Sequence, residues 1–296
     1  MIGSKKSGAR FWPPAPQAAR DVACAHLEAG QAQPHVHEDW QFAVADIPAE
    51  VCVAGRWRYT VGPSDITVVA PYEVHSECGA GRHAPHWRML LVPPSILSIA
   101  CQGLPANQKC EHRRFTSEVL PDPAGALALR RLLLDSEDGL LDGVEFVTRA
   151  LPWLDDLLDR HRGDGGRPPR SRAVERAHAY IRRRATRSVT LAEVAIAAGV
   201  AVGHLVRSFS AAVGLPPMSY QTQVRVARSK RLLAQGVSAS SVAYECGFAD
   251  QSHLIRHFKK CYGLTPGAFQ KQYCDQQPVA RGTTDSGVPE VESNAA

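Results

Sequence analysis

No stretch of the 296-residue chain reaches the roughly 18 consecutive apolar residues that a membrane-crossing helix needs. A membrane partner is therefore not expected. Residues Met1 to Gln17 carry lysines and prolines but no apolar segment of the signal-peptide type. The eight cysteines are scattered, with no Cys-x-x-Cys pair and no zinc-like Cys/His spacing. Cys246 and Cys261 fall at apolar helix positions, where a reduced cysteine behaves as a small hydrophobe. A cytoplasmic location is the simplest expectation.

The net charge of +5 conceals an asymmetry. Residues 1–166 hold 16 Lys/Arg against 21 Asp/Glu, whereas residues 167–277 hold 17 against 5. A basic half joined to an acidic one points to a polyanion partner for the basic half alone.

Short apolar or alternating runs broken by Gly, Pro and Asp extend from Val22 to about Pro93. Gln41–Ala45, Val51–Ala54, Arg56–Val61 and Ile66–Val69 read as strands of an all-β unit. Leucines then recur at helical spacing over 123–134 and 144–160. These two helices carry more apolar surface than one small barrel needs, which suits a dimer interface. A polar Gly/Pro-dense stretch, Arg162 to Arg170, separates the halves.

The basic half contains an internal repeat. Ala195, Gly199, Leu205, Arg207, Phe209, Gly214, Pro217 and Tyr220 match Ala243, Gly247, Leu254, Arg256, Phe258, Gly263, Pro266 and Phe269. In each copy a small Ala permits close helix approach, and a Gly then takes the left-handed conformation at the helix end. A second helix follows, with Leu and Phe on one face and Arg on another. This is the layout of a helix-turn-helix, whose second helix lies in the major groove. The pairs are expected at Thr190–Ala198 with Val202–Val213, and at Ser238–Cys246 with Asp250–Tyr262. A connecting helix over Ser219–Gln235 would hold the two recognition helices about one DNA turn apart.

The segment from Gly247 through Phe248, Asp250, Gln251, Ser252, His253, Leu254, Arg256 and Phe258 to Pro266 resembles the signature of the AraC/XylS family of transcription regulators. The resemblance covers about 171–273 and implies seven helices with two helix-turn-helix units. By position it implies base reading by Gln251, Ser252, Ile255 and Arg256 in the second unit. Gly203, Val206 and Arg207 match in the first, where only Arg207 carries a hydrogen-bonding side chain able to grip a base. Arg182, Arg225, Arg228, Lys230, Lys259 and Lys260 are expected on phosphates, which position without specifying.

In the acidic half, His35, His37, Trp40 and Gln41, followed later by Ala70 to His75, resemble the cupin-like sensing domain common in that family. Metal-binding cupins close a His-x-His, a Glu and a later His around one ion, and here Gln41 stands where that Glu is expected. No cofactor and no catalytic residue are expected, and no metal is assigned, although three imidazoles could still bind a divalent metal in a partly open site. His35, His37, Trp40, Gln41, Trp57, Tyr59 and His75 are expected to contact a small-molecule effector instead.

These readings predict an α+β chain: an N-terminal all-β cupin-like barrel with a helical pair, then an all-α seven-helix domain with two helix-turn-helix units. The divisions are a flexible arm (1–20), an effector-binding and dimerisation domain (21–162), a linker (163–170), a DNA-binding domain (171–274) and a disordered tail (275–296). The function expected is an effector-controlled, sequence-specific transcription regulator, an activator rather than an enzyme. Double-stranded DNA, the effector, RNA polymerase and a second copy of the chain are its expected partners. A metal-dependent cupin enzyme fused to a DNA-binding module is the alternative. The effector, the operator and the target genes are not legible in the sequence.

Overall fold

The computed structural model describes residues 9–14, 22–28, 33–79, 86–100, 115–163 and 169–275. The acidic half supplies β1 (Ala9–Trp12), β2 (Ala23–Glu28), β3 (Trp40–Ala45), β4 (Ala49–Val53), β5 (Trp57–Val61), β6 (Asp65–Val69), β7 (His75–Gly79) and β8 (His86–Val92). There follow α1 (Pro94–Ala100), β9 (Val119–Pro121), α2 (Pro123–Glu137) and α3 (Gly143–His161). The strands form two antiparallel sheets, ordered β1-β2-β8-β3-β6-β9 and β5-β4-β7.

Strand β3 is buried along its whole length because both of its faces are covered. The period of two sends Trp40, Phe42 and Val44 toward α2 and α3, where Leu129, Leu133, Phe146, Trp153 and Leu157 complete one core. Gln41, Ala43 and Ala45 point the other way, and the two alanines share a core with Val51, Val53 and Val61 of the smaller sheet. Small residues on that inner face leave room for the imidazoles described below. Asp142 starts α3 with a capping box to Glu145, and Asp122 caps α2 through the Gly125 N–H. The buried stripe of α2 and α3 packs on its own barrel, while Leu127, Leu140, Val144 and Leu151 stay exposed on the outside.

The arm expected over 1–20 needs correction. Ala9–Trp12 is strand β1, paired in register with Trp12 opposite Cys24, and Phe11 and Trp12 are buried. Two bulky aromatics gain more from burial than the segment loses in chain entropy. Residues 164–168 of the expected linker and 276–296 of the expected tail lie outside the described residues.

The basic half is α4 (Arg172–Arg183), α5 (Leu191–Ala198), α6 (Val202–Val213), α7 (Pro217–Ala234), α8 (Ala239–Glu245), α9 (Gln251–Tyr262) and α10 (Pro266–Asp275). The repeat is built as its residues dictate. Thr190 and Glu193 form a capping box on α5, and Ser238 and Asp250 cap α8 and α9. Gly199 and Gly247 turn out of the first helix of each unit at φ +73° and +77°. No single helix among the described residues is long and apolar enough to cross a membrane.

The two halves share cores. Val36 and Val74 of the barrel join the cluster of α4, α5, α6 and α7 that includes Leu205, Phe209 and Tyr220. Phe11 of β1 packs edge-on against Tyr262 and Phe269, with ring centroids 5.9 and 5.4 Å away. Tyr220 donates its hydroxyl to the Tyr72 carbonyl at 3.2 Å, and the Arg182 guanidinium lies 3.8 Å over the Tyr72 ring. Arg231 pairs with Glu38 at 2.8 Å, and Arg170 with Glu73 at 2.7 Å.

Two local features of this contact are testable. Gly214 ends α6 at φ +87°, and a Cβ there would lie 2.4 Å from the Ala54 carbonyl carbon. Gly263 ends α9 at φ +75° with nothing within 4 Å. In urea unfolding, Gly263→Ala is expected to cost about 1–2 kcal/mol from the left-handed backbone alone. Gly214→Ala is expected to cost roughly 2–5 kcal/mol because overpacking adds to the same strain. Equal losses would contradict the close approach.

Lys230 is buried, 5.2 Å from the Phe11 ring and 5.8 Å from the Tyr262 ring, and makes no ion pair or hydrogen bond with any described residue. Burial lowers its pKa from 10.5 to about 8, against the opposing pull of Asp39 and Glu38. Between those two values the unfolded chain binds the proton that the folded chain has lost, so this group makes stability rise with pH. Wild type should gain up to roughly 3 kcal/mol relative to Lys230→Met between about pH 7.5 and 10.5. A stability difference flat across that window would contradict the burial of the ammonium.

Candidate nucleic-acid interface and sensing site

Leucine and phenylalanine at i and i+4 fix which face of each recognition helix is inward. Leu205 and Phe209 of α6, and Leu254 and Phe258 of α9, are fully buried. The opposite faces are therefore left to solvent: Gly203 and Arg207 on α6, and Gln251, Ser252 and Arg256 on α9, are exposed. Val206 and Ile255 are half-buried at their edges. Gln251 and Ser252 occupy the first turn of α9, just after the Asp250 cap, where a helix entering a groove would meet base edges. Ile196 of α5 and Tyr244 of α8, at matching repeat positions, are also strongly exposed.

The expected phosphate contacts divide. Arg228, Lys259 and Lys260 are exposed. Arg225 instead donates to the carbonyls of Ala185 and Arg187 at 2.6 and 2.8 Å, tying α7 to the turn after α4. Arg182 is half-buried over Tyr72. Lys230 is a correction: the face of α7 that carries it packs on β1, so its ammonium points at the barrel rather than at solvent.

Within the barrel, His35, His37, Gln41 and His75 come together, and Glu77 joins them. His35 and His75 exchange backbone hydrogen bonds of 2.9 and 3.0 Å across a β-bridge. Each imidazole donates its Nδ1–H to a backbone carbonyl: His35 to Gln33 at 3.0 Å, His37 to Asp39 at 2.8 Å, and His75 to Glu73 at 3.0 Å. The Nε2 atoms turn inward, His37 to His75 at 3.1 Å and His75 to Glu77 Oε1 at 3.4 Å. Gln41 donates to the same carboxylate at 2.8 Å.

Burial and neighbouring imidazoles keep His35 neutral, its pKa lowered to about 4, and push His37 well below the usual histidine value. Burial disfavours a charge on His75 too, but the Glu77 carboxylate outweighs it and raises that pKa. Burial likewise works against the Glu77 carboxylate, which His75 nevertheless holds well below the usual range.

The other expected effector contacts lie elsewhere. Trp40 belongs to the core beneath α2 and α3, edge-on to Phe115 at 5.7 Å. Trp57 is half-buried on β5 with Arg56 over its ring, and Tyr59 donates to Glu118 at 2.8 Å. Strand parity separates Trp40 from the histidines, whereas Trp57 and Tyr59, opposite Val53 and Val51, share a sheet face with His75 and Glu77 but stand two strands away. Sequence reasoning missed Glu77, although it stands two residues after His75 on one strand and so faces the same way. It also missed a cleft of about 520 Å³ between the halves, lined by His37, Glu38, Asp39, Tyr72, Arg182, Lys230, Phe269 and Tyr273 among others.

Comparison with known proteins agrees with this geometry. A helix-turn-helix domain family matches residues 194–272. An uncharacterized helix-turn-helix-type transcriptional regulator of Bacillus subtilis, YbfI, is 28% identical over 226 residues, covering 74% of this chain and 80% of its own. A Streptomyces lividans chain described as an AraC-like transcription regulator is 33% identical over 169 residues, so this chain spans about half of that relative (49%). Among solved structures, ToxT of Vibrio cholerae with bound unsaturated fatty acid superposes at a TM-score of 0.54 and 12% identity, over 92% of this chain and 98% of its own. Two left-handed glycine turns, two inward Leu/Phe pairs and two outward arginines in register thus fall within the segment that matches a helix-turn-helix domain family, and the chain is similar to AraC-like transcription regulators.

Proposed function

We propose that the chain is a sequence-specific DNA-binding regulator, an activator, that reads its operator chiefly with α9 and responds to a small molecule held between its halves. The observation that carries the reading is the polar outer face of α9, Gln251, Ser252 and Arg256, set opposite a fully buried Leu254 and Phe258. Arginine can grip guanine and glutamine adenine in bidentate fashion, each worth about 1–3 kcal/mol of discrimination. On α6 only Arg207 offers such a contact, so the first unit contributes less. Arg228, Lys259 and Lys260 supply phosphate contacts.

The cleft beside Lys230 is the proposed effector site. A buried ammonium facing apolar and aromatic walls suits an organic anion with an apolar body. ToxT, of the same fold, carries an unsaturated fatty acid in its solved structure. A ligand there touches both halves, and it shifts their arrangement only if it binds one seating better than another. The exposed Leu127, Val144 and Leu151 of α2 and α3, with Leu140 in the connection between them, suit a two-fold contact between copies on paired half-sites.

Genomic fragments captured by the purified protein test the reading. Wild type should recover a shared motif, and Arg256→Ala should bind it about 10- to 100-fold more weakly while non-specific affinity changes little. A medium-chain carboxylate should shift wild-type affinity and leave Lys230→Met unmoved. Fragments without a common motif, recovered equally by the variant, would contradict specific regulation.

A further inference from the structure

We propose that Val202, the first residue of α6, reads the 5-methyl group of a thymine in the major groove, with Arg207 on the neighbouring guanine. The proposal rests on the reading of α6 and α9 as groove-entering helices. The offset that carries Leu205 to Leu254 and Arg207 to Arg256 carries Val202 to Gln251. Each of these two residues opens its recognition helix, and each is exposed. The first unit thus holds an apolar side chain where the second unit holds an amide.

A single exposed valine is ordinary on a protein surface, so its surroundings decide its meaning. Val202 is 41% exposed. Ala201 before it leaves α6 without a side-chain cap, whereas Asp250 caps α9 through the His253 N–H. Gly203 after it adds no side chain, and Val206 stands half-buried one turn on. The leading face of α6 is therefore Ala201, Val202, Gly203 and Val206, where that of α9 is Asp250, Gln251, Ser252 and Ile255. None of the four side chains on α6 can donate to a base edge or accept from one.

Arg207 completes the face. A Cβ added at Gly203 would lie 3.6 Å from Arg207 Nη1, so the guanidinium folds back over the glycine toward the start of the helix. Arg207 is exposed, and no hydrogen bond or ion pair with a described residue holds its head. Major-groove edges offer one apolar group, the thymine methyl, and one pair of acceptors suited to a guanidinium fork, O6 and N7 of guanine. An apolar side chain beside a free fork matches those two groups on adjacent base pairs. A protein partner would leave the fork unmatched, and it gives no reason for the apolar residues to align with the polar readers of α9.

The full-length protein is titrated onto the motif that it selects from random duplexes. Each thymine in the tract protected by α6 is replaced in turn by uracil, which lacks only the methyl group. One such replacement should weaken wild type about 4-fold, the worth of one methyl group leaving an apolar contact. Val202→Ala, with native circular dichroism, should bind the thymine duplex more weakly than wild type and lose nothing further on uracil. With cytosine at the same position, methylation to 5-methylcytosine should strengthen wild type by about the same factor and leave Val202→Ala unmoved. Equal uracil effects in wild type and variant, or none at any thymine under α6, would overturn the proposal while leaving base reading by α9 in place. Selection of no shared motif, with Arg256→Ala binding as tightly as wild type, would overturn that reading and the proposal with it.

Discussion

Neither helix-turn-helix unit completes its core alone. The first closes over Val36 and Val74 of the barrel, and the second over Phe11 of β1 and the inner face of the smaller sheet. Helix α7 runs between them, giving Tyr220 to the first contact and Lys230 to the second. The only non-glycine residues with positive φ among those described are Ala54 and Tyr72. Both sit at this seam, Ala54 against Gly214 and Tyr72 against Arg182 and Tyr220. Strained backbone persists only where its surroundings over-determine it, so the packing between halves sustains these two conformations.

That shared packing redistributes the charge. Arg170, Arg182, Arg225, Lys230 and Arg231 count toward the basic half, yet each is engaged by the barrel, by a carbonyl or by an aromatic ring. The cations left for a polyanion are on the outer faces, Arg207, Arg228, Arg256, Lys259 and Lys260 among them. Sequence charge therefore overstates the electrostatic footprint. Under the proposed effector site, a ligand at the seam would meet the same groups that hold the halves together, and its binding would then be coupled to the presentation of α6 and α9.

What the sequence made legible was local. The repeat of Ala, Gly, Leu, Arg and Phe located both helix-turn-helix units because each of those residues answers a constraint within a few positions: a close approach, a left-handed turn, a buried stripe. Alternation marked β3 to β6 for the same reason. Non-local features escaped. Phe11 looked like part of a loose arm because its partners, Tyr262 and Phe269, are some 250 residues away. Lys230 looked like a surface cation because helical period alone does not say which neighbour covers a face. Trp40 was grouped with His37 by proximity in sequence, although strand parity sends Trp40 to one core and Gln41 to the opposite side. Glu77 was legible in principle from its i+2 relation to His75.

The central claim is that α6 and α9 read one face of a duplex together, presented by a barrel that both units need. Hydroxyl-radical footprinting of the full chain on a selected operator tests it most directly. The account predicts two protected tracts about ten base pairs apart on the same face, the stronger under α9. A single tract, or uniform protection regardless of sequence, would contradict it.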